Sequence, residues 1–253
     1  MSISVQPVAG AVTGDGCLRF FDGFMPYSIQ DNIGIYIDET NFKILYGSMD
    51  GQITRSSKFG NLIYTIASDP DGPKSWLDVG TWNGRGTTSC ILDGFHESGI
   101  NKQLTSVELH PFMWNVAKEN LKDHPAISMA TFARAKISGP SGEQYILHPP
   151  KGDKCAHYCL HYETDMALWS ASETLVFKNE PEAVVLDGGE YTGYVDWTFL
   201  PKGSLKYVFL DDSAILKNQK VRAELLASSE WTLLEEDLKD RNGWSVFTVK
   251  YLN

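Results

Sequence analysis

The spacing of apolar residues predicts strands that alternate with helices from about residue 58 onward. The predicted strands are residues 76–79, 103–109, 126–133, 182–188, 205–212, 231–237 and 243–252. The predicted helices are residues 57–68, 87–99, 111–123, 157–177, 194–200 and 218–229. Such alternation predicts an α/β fold with a doubly wound, mostly parallel sheet of seven strands. No helix separates the last two strands, which predicts a C-terminal antiparallel hairpin.

The first 57 residues have a different pattern and are predicted to form a separate N-terminal segment. An alternating stretch at residues 33–47 predicts a β-hairpin there, and we expect the segment to serve as a substrate wall or an oligomer contact. Residues 58–253 are predicted to be the main domain.

An insertion at about residues 134–182 separates the third and fourth predicted strands. Long excursions near a ligand edge usually form lids or substrate walls. The candidate sugar contacts in the insertion are Tyr158, Tyr162, Asp165 and Trp169. The alternative is that these side chains pack into the core or into a subunit interface.

Charge and composition limit the classes of partner. The chain has 253 residues and a net charge of −10, and no lysine or arginine cluster stands out. Nucleic-acid binding needs a basic surface, so we expect a small molecule or a glycan as substrate, and a homo-oligomer is compatible with the sequence. No apolar run approaches the roughly 20 residues that span a bilayer, and the N-terminus does not resemble a signal peptide. The four cysteines form no CxxC pair, which favours reduced thiols and a cytoplasmic location.

A glycine-rich turn, with the sequence SWLDVGTWNGRGTT, follows the first predicted strand. Gly80 allows a sharp turn, and Gly84 and Gly86 allow a ligand to approach the backbone closely. The helix that begins near Thr87 directs free N–H groups towards a ligand. A dinucleotide and S-adenosylmethionine are both compatible with such a turn.

Two carboxylates bear on the choice between these ligands. Glu108, at the end of the second predicted strand, is placed to bind ribose hydroxyls in either case. Asp78 favours S-adenosylmethionine, because a carboxylate repels a pyrophosphate and attracts an ammonium group. A short-chain dehydrogenase, the main alternative enzyme class, requires a Tyr-x-x-x-Lys pair that this sequence lacks.

Three further carboxylates follow two later strands. Asp187 ends one predicted strand, and Asp211 and Asp212 end the next. Because the carboxyl ends of neighbouring parallel strands meet at one edge, we expect the three groups to converge. A divalent cation such as Mg²⁺ or Mn²⁺ removes their mutual repulsion. The alternative is that Asp211 and Asp212 cap the following helix.

These motifs together resemble the class I S-adenosylmethionine-dependent methyltransferases, which have a Rossmann-like fold. The spacing Gly-x-x-x-Gly-x-Gly is similar to that of metal-dependent O-methyltransferases, of the catechol type and of the macrolide and aminocoumarin deoxysugar type. The resemblance covers roughly residues 58–253. It implies an S-adenosylmethionine site lined by Asp78, Gly80, Thr81, Trp82, Gly84, Gly86, Thr87 and Glu108, and a Mg²⁺ or Mn²⁺ held by Asp187, Asp211 and Asp212.

The general base is where the sequence departs from these families. The deoxysugar enzymes carry Asp-x-Asp at the metal strand, whereas this chain has Gly189 in place of the second acid. Glu190 is the first candidate base, and His157 and His161 are the alternatives. The predicted function is methyl transfer to a hydroxyl of a sugar, with a catechol or phenol as the alternative acceptor. A methyltransferase-like scaffold that binds a glycan without catalysis is the non-enzymatic alternative.

Overall fold

The computed structural model describes residues 53–148 and 156–250, together with the short antiparallel pair Ala11–Val12 and Leu18–Arg19. Side chains are described throughout the two long ranges except at residues 140, 156–161, 163 and 164. The hairpin predicted at residues 33–47 lies outside the described residues. The boundary between an N-terminal segment and a main domain therefore stays a prediction.

Seven strands form one sheet: β1 Ser75–Val79, β2 Gln103–Val107, β3 Ala130–Ala133, β4 Ala183–Leu186, β5 Tyr207–Asp211, β6 Trp231–Asp237 and β7 Trp244–Val249. Their spatial order is β3-β2-β1-β4-β5-β7-β6. Strands β1 to β5 are parallel, and β7 is antiparallel to both of its neighbours. The order reverses between β1 and β4. The predicted doubly wound sheet with a C-terminal antiparallel hairpin is therefore confirmed.

Six helices accompany these strands within the described residues. They are α1 Lys58–Ser68, α2 Thr87–Ser98, α3 Pro111–Leu121, α4 Ala156–Ala171, α5 Gly193–Phe199 and α6 Leu216–Ala227. None of the helices in the described part of the chain is long and apolar enough to cross a membrane.

Two predicted elements need correction. The sequence predicts the third strand from residue 126, but a 3-10 turn occupies Ile127–Met129 and the strand begins at Ala130. The helix predicted for residues 157–177 ends at Ala171, and Glu173–Thr174 instead pairs in parallel with Ala135–Lys136. Both errors have one cause: the pattern of apolar and polar residues does not itself mark where the backbone changes conformation.

Buried side chains cover both faces of the sheet, as a parallel sheet requires. On one face Trp76 stacks on Phe209 at 5.5 Å, and Phe59 of α1 stacks on Trp244 at 5.3 Å. On the other face Leu77 and Val208 pack in a second core cluster. Burial on both sides leaves the carboxyl edge of β1, β4 and β5 as the place where polar side chains converge.

Candidate active site

The glycine turn after β1 is shaped by close contact with the loop after β4. Gly80 has φ +96°, and a Cβ there would lie 2.0 Å from the carbonyl oxygen of Asp187. Gly84 has φ +79°, and its Cβ would lie 2.7 Å from Cδ1 of Leu121. The positive φ therefore favours glycine at both positions, and at Gly80 the obstacle to a side chain is backbone that cannot move aside easily. At Gly86 the nearest atom to a Cβ is 3.6 Å away, so packing within the protein leaves room beside the start of α2.

Left-handed backbone at residues other than glycine is found at the same edge of the sheet. Among the described residues, these are Trp82, Asp212 and Arg241, with φ of 52°, 50° and 53°. Such conformations cost on the order of 1–3 kcal/mol each and tend to occur at functional sites. Trp82 is the least expected of the three, because bulky residues rarely adopt this conformation.

Asp78 lies beneath the turn and is fully buried. Its carboxylate accepts hydrogen bonds from the hydroxyls of Thr87, at 2.9 Å, of Thr88, and of Ser106, at 3.2 Å. Burial raises the pKa of Asp78 to about 6, against the opposing effect of these hydrogen bonds. The side chain thus ties β1 and β2 to the first turn of α2, and its predicted attraction for an ammonium group stays a prediction.

Glu108 and Thr81 hold the turn against β2. Glu108 accepts hydrogen bonds from the backbone N–H of Trp82 at 2.7 Å and of His110 at 2.8 Å, one on each carboxylate oxygen. Thr81 shares a hydroxyl contact of 2.5 Å with Ser106. Burial raises the pKa of Glu108 to about 7. Each carboxylate oxygen has a second lone pair, so Glu108 can still accept a hydrogen bond from a ligand.

Asp187, Asp211 and Asp212 converge as the sequence predicts. One carboxylate oxygen of each lies within 4.8 Å of the others, and we call these three residues the acidic edge. Burial raises the pKa of Asp187 and of Asp211, in the second case to about 8. Three carboxylates in a buried place require positive charge nearby.

Two basic side chains supply that charge. Nζ of Lys217, in the first turn of α6, donates to Oδ1 of Asp187 at 2.6 Å and to Oδ2 of Asp212 at 3.0 Å. Arg241, in the turn between β6 and β7, pairs with Asp211. Burial alone would lower the pKa of Lys217, but the three carboxylates raise it well above its usual value. Lys217 is therefore positively charged.

The arrangement does not fit a divalent metal ion as it stands. Three carboxylates are a suitable donor set for Mg²⁺ or Mn²⁺. However, a metal bound to Oδ1 of Asp187 and Oδ2 of Asp212 would share both oxygens with the ammonium group of Lys217. Two cations would then compete for the same two atoms.

Asn218 fixes the helix that carries Lys217. Its Nδ2 donates to the carbonyl oxygen of Leu186 at 2.9 Å and to that of Asp211 at 2.7 Å, at the ends of β4 and β5. Asn218 is fully buried. The start of α6 is thus bonded to the two strands that carry the acidic edge, which sets the position of Lys217.

The candidate bases lie on and around the loop after β4. Glu190 is half-buried, and burial raises its pKa; the charge of Lys217 opposes this shift, whereas Asp212 and Asp165 add to it. His157 and His161 belong to α4, but their side chains lie outside the described part of the structure. All three therefore stay candidates.

The inserted helix α4 contributes one carboxylate to this loop. Oδ2 of Asp165 accepts from the backbone N–H of Tyr191 at 2.9 Å and would lie 2.8 Å from a Cβ at Gly189. Burial raises the pKa of Asp165 to about 6. Trp169, a candidate sugar contact, is only 3% exposed and packs in a core cluster with Tyr191, so it cannot stack on a ligand. Tyr162 is half-buried and contacts the ring of Tyr191.

Three residues of the site were not identified from the sequence: Lys217, Asn218 and Arg241. One signal was present, because three clustered carboxylates imply nearby cations, and Lys217 follows Asp212 within about a helical turn. No comparable signal marks Arg241. Its place depends on β7 lying between β5 and β6, which brings the β6–β7 turn to the end of β5.

Comparisons with known proteins give similarity at the level of fold. No family model matches the chain, and no curated protein matches it. Among solved structures, an O-methyltransferase from Bacillus cereus in complex with S-adenosylhomocysteine has 10% identity, covers 77% of this chain and 82% of that chain, and has a TM-score of 0.47. The methyltransferase PaMTH1 from Podospora anserina, also bound to S-adenosylhomocysteine, has 15% identity over 76% and 77%, with a TM-score of 0.45. The O-methyltransferase TomG from Streptomyces achromogenes, involved in tomaymycin synthesis and in complex with S-adenosylmethionine, has 14% identity over 75% and 78%, with a TM-score of 0.45.

Proposed function

We propose that the protein transfers a methyl group from S-adenosylmethionine to a hydroxyl of a sugar or a similar polyol. The observation that carries the proposal is the direct contact between the glycine turn and the acidic edge. The backbone N–H of Asp187 donates to the carbonyl oxygen of Val79 at 2.9 Å, and a Cβ at Gly80 would collide with Asp187. A cofactor on the turn and an acceptor on the acidic edge would therefore be neighbours, as direct transfer between them requires.

The cofactor would lie along the turn and the start of α2. Glu108 would accept from the ribose hydroxyls through its remaining lone pairs, and Trp82 would lie beside the adenosyl group. The backbone at Gly84 and Gly86 and the hydroxyl groups of Thr81 and Thr87 would form the rest of the site. Calorimetric titrations with S-adenosylmethionine and with NAD test this assignment, and binding of NAD alone would refute it.

The reaction is an in-line displacement. The acceptor oxygen forms a bond to the methyl carbon while the carbon–sulfur bond breaks, and that bonding pair stays on sulfur to give S-adenosylhomocysteine. The hydroxyl proton must leave, and Glu190 is the proposed base because burial raises its pKa and thus its proton affinity. Asp187 and the rest of the acidic edge would orient the acceptor.

Substitution of Glu190 tests the base. Glu190→Gln should lower kcat by about 100-fold, within the range of general-base catalysis, and should leave the affinity for S-adenosylmethionine unchanged. It should also remove the ionisation of the base from the pH profile of kcat. Glu143, an exposed glutamate on the inserted segment, provides the matched control Glu143→Gln. Full activity of Glu190→Gln would transfer the role to His157 or His161, which His157→Gln and His161→Gln would then distinguish.

The acceptor is tested by transfer of labelled methyl from S-adenosylmethionine to a panel of sugars, glycosides, catechols and phenols. The polar groups at the acidic edge and on α4, including Asp165, favour a polyhydroxylated acceptor over a flat apolar one. We expect label on the sugar hydroxyls. Label confined to the phenolic acceptors would overturn the sugar assignment but not the methyl transfer.

Binding of Mg²⁺ or Mn²⁺ at Asp187, Asp211 and Asp212 stays a prediction. The carboxylate donors support it, and the ammonium group of Lys217 stands against it. No step of the proposed reaction depends on the metal. A homo-oligomer likewise stays a prediction.

A further inference from the structure

We infer that the ammonium group of Lys217 is the resident cation of the acidic edge, in the place where a divalent metal would bind, and that methyl transfer proceeds without a metal. The second part of the inference rests on the proposed function; the first does not. A metal site, as predicted from the sequence, would bind Mn²⁺ stoichiometrically. A site occupied by Lys217 would not.

The contacts of Lys217 are those expected of a bound cation. Its Nζ bridges a carboxylate from the end of β4 and one from the end of β5, at 2.6 Å and 3.0 Å. Arg241 pairs with the third carboxylate, that of Asp211. Each member of the acidic edge therefore has a basic partner, and these partners relieve part of the repulsion that a metal would relieve.

The position of Lys217 is held by its surroundings. Its side chain is only 8% exposed, so the protein encloses most of it. The next residue, Asn218, is bonded to the ends of β4 and β5. The carbonyl oxygen of Lys217 itself packs against Gly193 at the start of α5, where a Cβ would lie 2.9 Å away. A metal on the oxygens that Lys217 contacts would have to displace this buried ammonium group.

Lys217 can also take over the orienting task of a metal. An ammonium group has three N–H donors, and two of them are directed at Asp187 and Asp212. The third can donate to the acceptor oxygen. Such a bond would orient the hydroxyl, and the positive charge would favour loss of its proton to the base.

Binding of Mn²⁺ tests the first part without any assay of activity. Protein freed of metal with EDTA and desalted is titrated with Mn²⁺, and free Mn²⁺ is followed by electron paramagnetic resonance. We expect the wild-type chain to show no stoichiometric site. Lys217→Ala removes the ammonium group and leaves the carboxylates, so it should bind one Mn²⁺ at least about tenfold more tightly than the wild type.

Two variants control for the origin of the new site. Lys220→Ala removes a positive charge from the exposed side of the same helix, where Lys220 lies over the ring of Tyr194, and it should behave as the wild type does. Lys217→Ala combined with Asp187→Asn should lose the gained site. Stoichiometric Mn²⁺ binding by the wild-type chain overturns the inference, and that measurement decides it even if Lys217→Ala does not fold. Failure of a folded Lys217→Ala to bind Mn²⁺ also overturns it.

The second part is tested on the wild-type protein. Labelled methyl transfer should be the same with EDTA as with added Mg²⁺; loss of turnover in EDTA and recovery with Mn²⁺ would overturn it. If no acceptor is methylated under any condition, the proposed function fails, and the Mn²⁺ titration still decides where the cation is. The two failures are therefore distinguishable.

Discussion

Replacing Glu108 with glutamine should make the stability of the fold less sensitive to alkaline pH and should weaken cofactor binding. In the folded protein the carboxylate of Glu108 is buried and accepts from the backbone N–H groups of Trp82 and His110. Glutamine has nearly the same shape and no charge, but its Nε2 cannot accept a hydrogen bond. The substitution therefore removes the buried charge and also removes one of the two N–H bonds, and the second loss is the same at every pH.

The pKa of Glu108 sets the size and sign of the effect. Burial raises this pKa from 4.5 to about 7, and each unit corresponds to about 1.4 kcal/mol, so the shift is worth roughly 3 kcal/mol. Because the folded-state pKa lies above the unfolded value, this stabilising contribution is complete below pH 4.5. It is lost as the pH rises through 7. The variant cannot lose it, so between pH 5 and pH 8 the stability difference should move by roughly 2–3 kcal/mol in favour of Glu108→Gln, in addition to the constant loss of one hydrogen bond.

The affinity of Glu108→Gln for S-adenosylmethionine should be lower than that of the wild type. The proposed hydrogen bonds from two ribose hydroxyls to a charged carboxylate are worth roughly 1.5–3 kcal/mol, which corresponds to a 10- to 150-fold weaker Kd for S-adenosylmethionine. Urea unfolding at pH 5 and pH 8 measures the first effect, and calorimetry at pH 8 measures the second. Glu97→Gln, an exposed change on α2, should alter neither. A stability difference that does not change between pH 5 and pH 8 would refute the account of burial, and unchanged affinity would remove Glu108 from the cofactor site.

Two further substitutions test the contacts that shape the site. Gly80→Ala should lower the free energy of unfolding by more than about 3 kcal/mol, because its Cβ would meet a backbone oxygen at 2.0 Å and its φ is positive. Gly99→Ala also has positive φ but meets nothing within 4 Å, so it should lose only about 1 kcal/mol in urea unfolding; equal losses would show that the clash is relieved. Arg241→Met should lower stability little at pH 6, where burial keeps Asp211 protonated with or without its partner. It should lower stability more at pH 9, where the ionised carboxylate of the wild type depends on the charge of Arg241. Arg222→Met, at a more exposed pair, should lose about 1 kcal/mol or less, and a loss at Arg241 that does not depend on pH would contradict the electrostatic explanation.

The acidic edge could be predicted from the sequence because its geometry follows from the sheet. Once β4 and β5 are parallel neighbours, residues that follow them meet at one edge, and Asp187, Asp211 and Asp212 occupy those positions. The glycine turn could be predicted for a similar reason, since only glycine suits the backbone at Gly80. The first prediction needs only the order of the strands, and the second needs only the local backbone conformation.

The cations of the site could not be predicted in the same way. Lys217 reaches the acidic edge only because α6 begins where Asn218 can bond to both strand ends, and that position depends on packing against α5. Arg241 depends on the insertion of β7 between two strands that precede it in the chain. For Trp169 the sequence predicts a contact that the structure does not show. The many aromatic residues of the insertion suggest a surface for a sugar, but the ring of Trp169 is buried. Side chains whose place depends on tertiary packing are beyond the reach of local patterns.

A positively charged ligand should stabilise each of the buried carboxylates of the site. Burial raises the pKa of Asp78, Glu108 and Asp211, so each carboxylate costs free energy when it is charged, and a nearby positive charge lowers that cost. S-adenosylmethionine carries a sulfonium as well as an ammonium group, whereas S-adenosylhomocysteine has lost the sulfonium charge. We therefore expect the negative charge of these carboxylates to favour binding of S-adenosylmethionine over binding of S-adenosylhomocysteine. Lys217 and Arg241 offset part of that charge at the acceptor end, which leaves the excess negative charge on the side of the turn where the donor would lie.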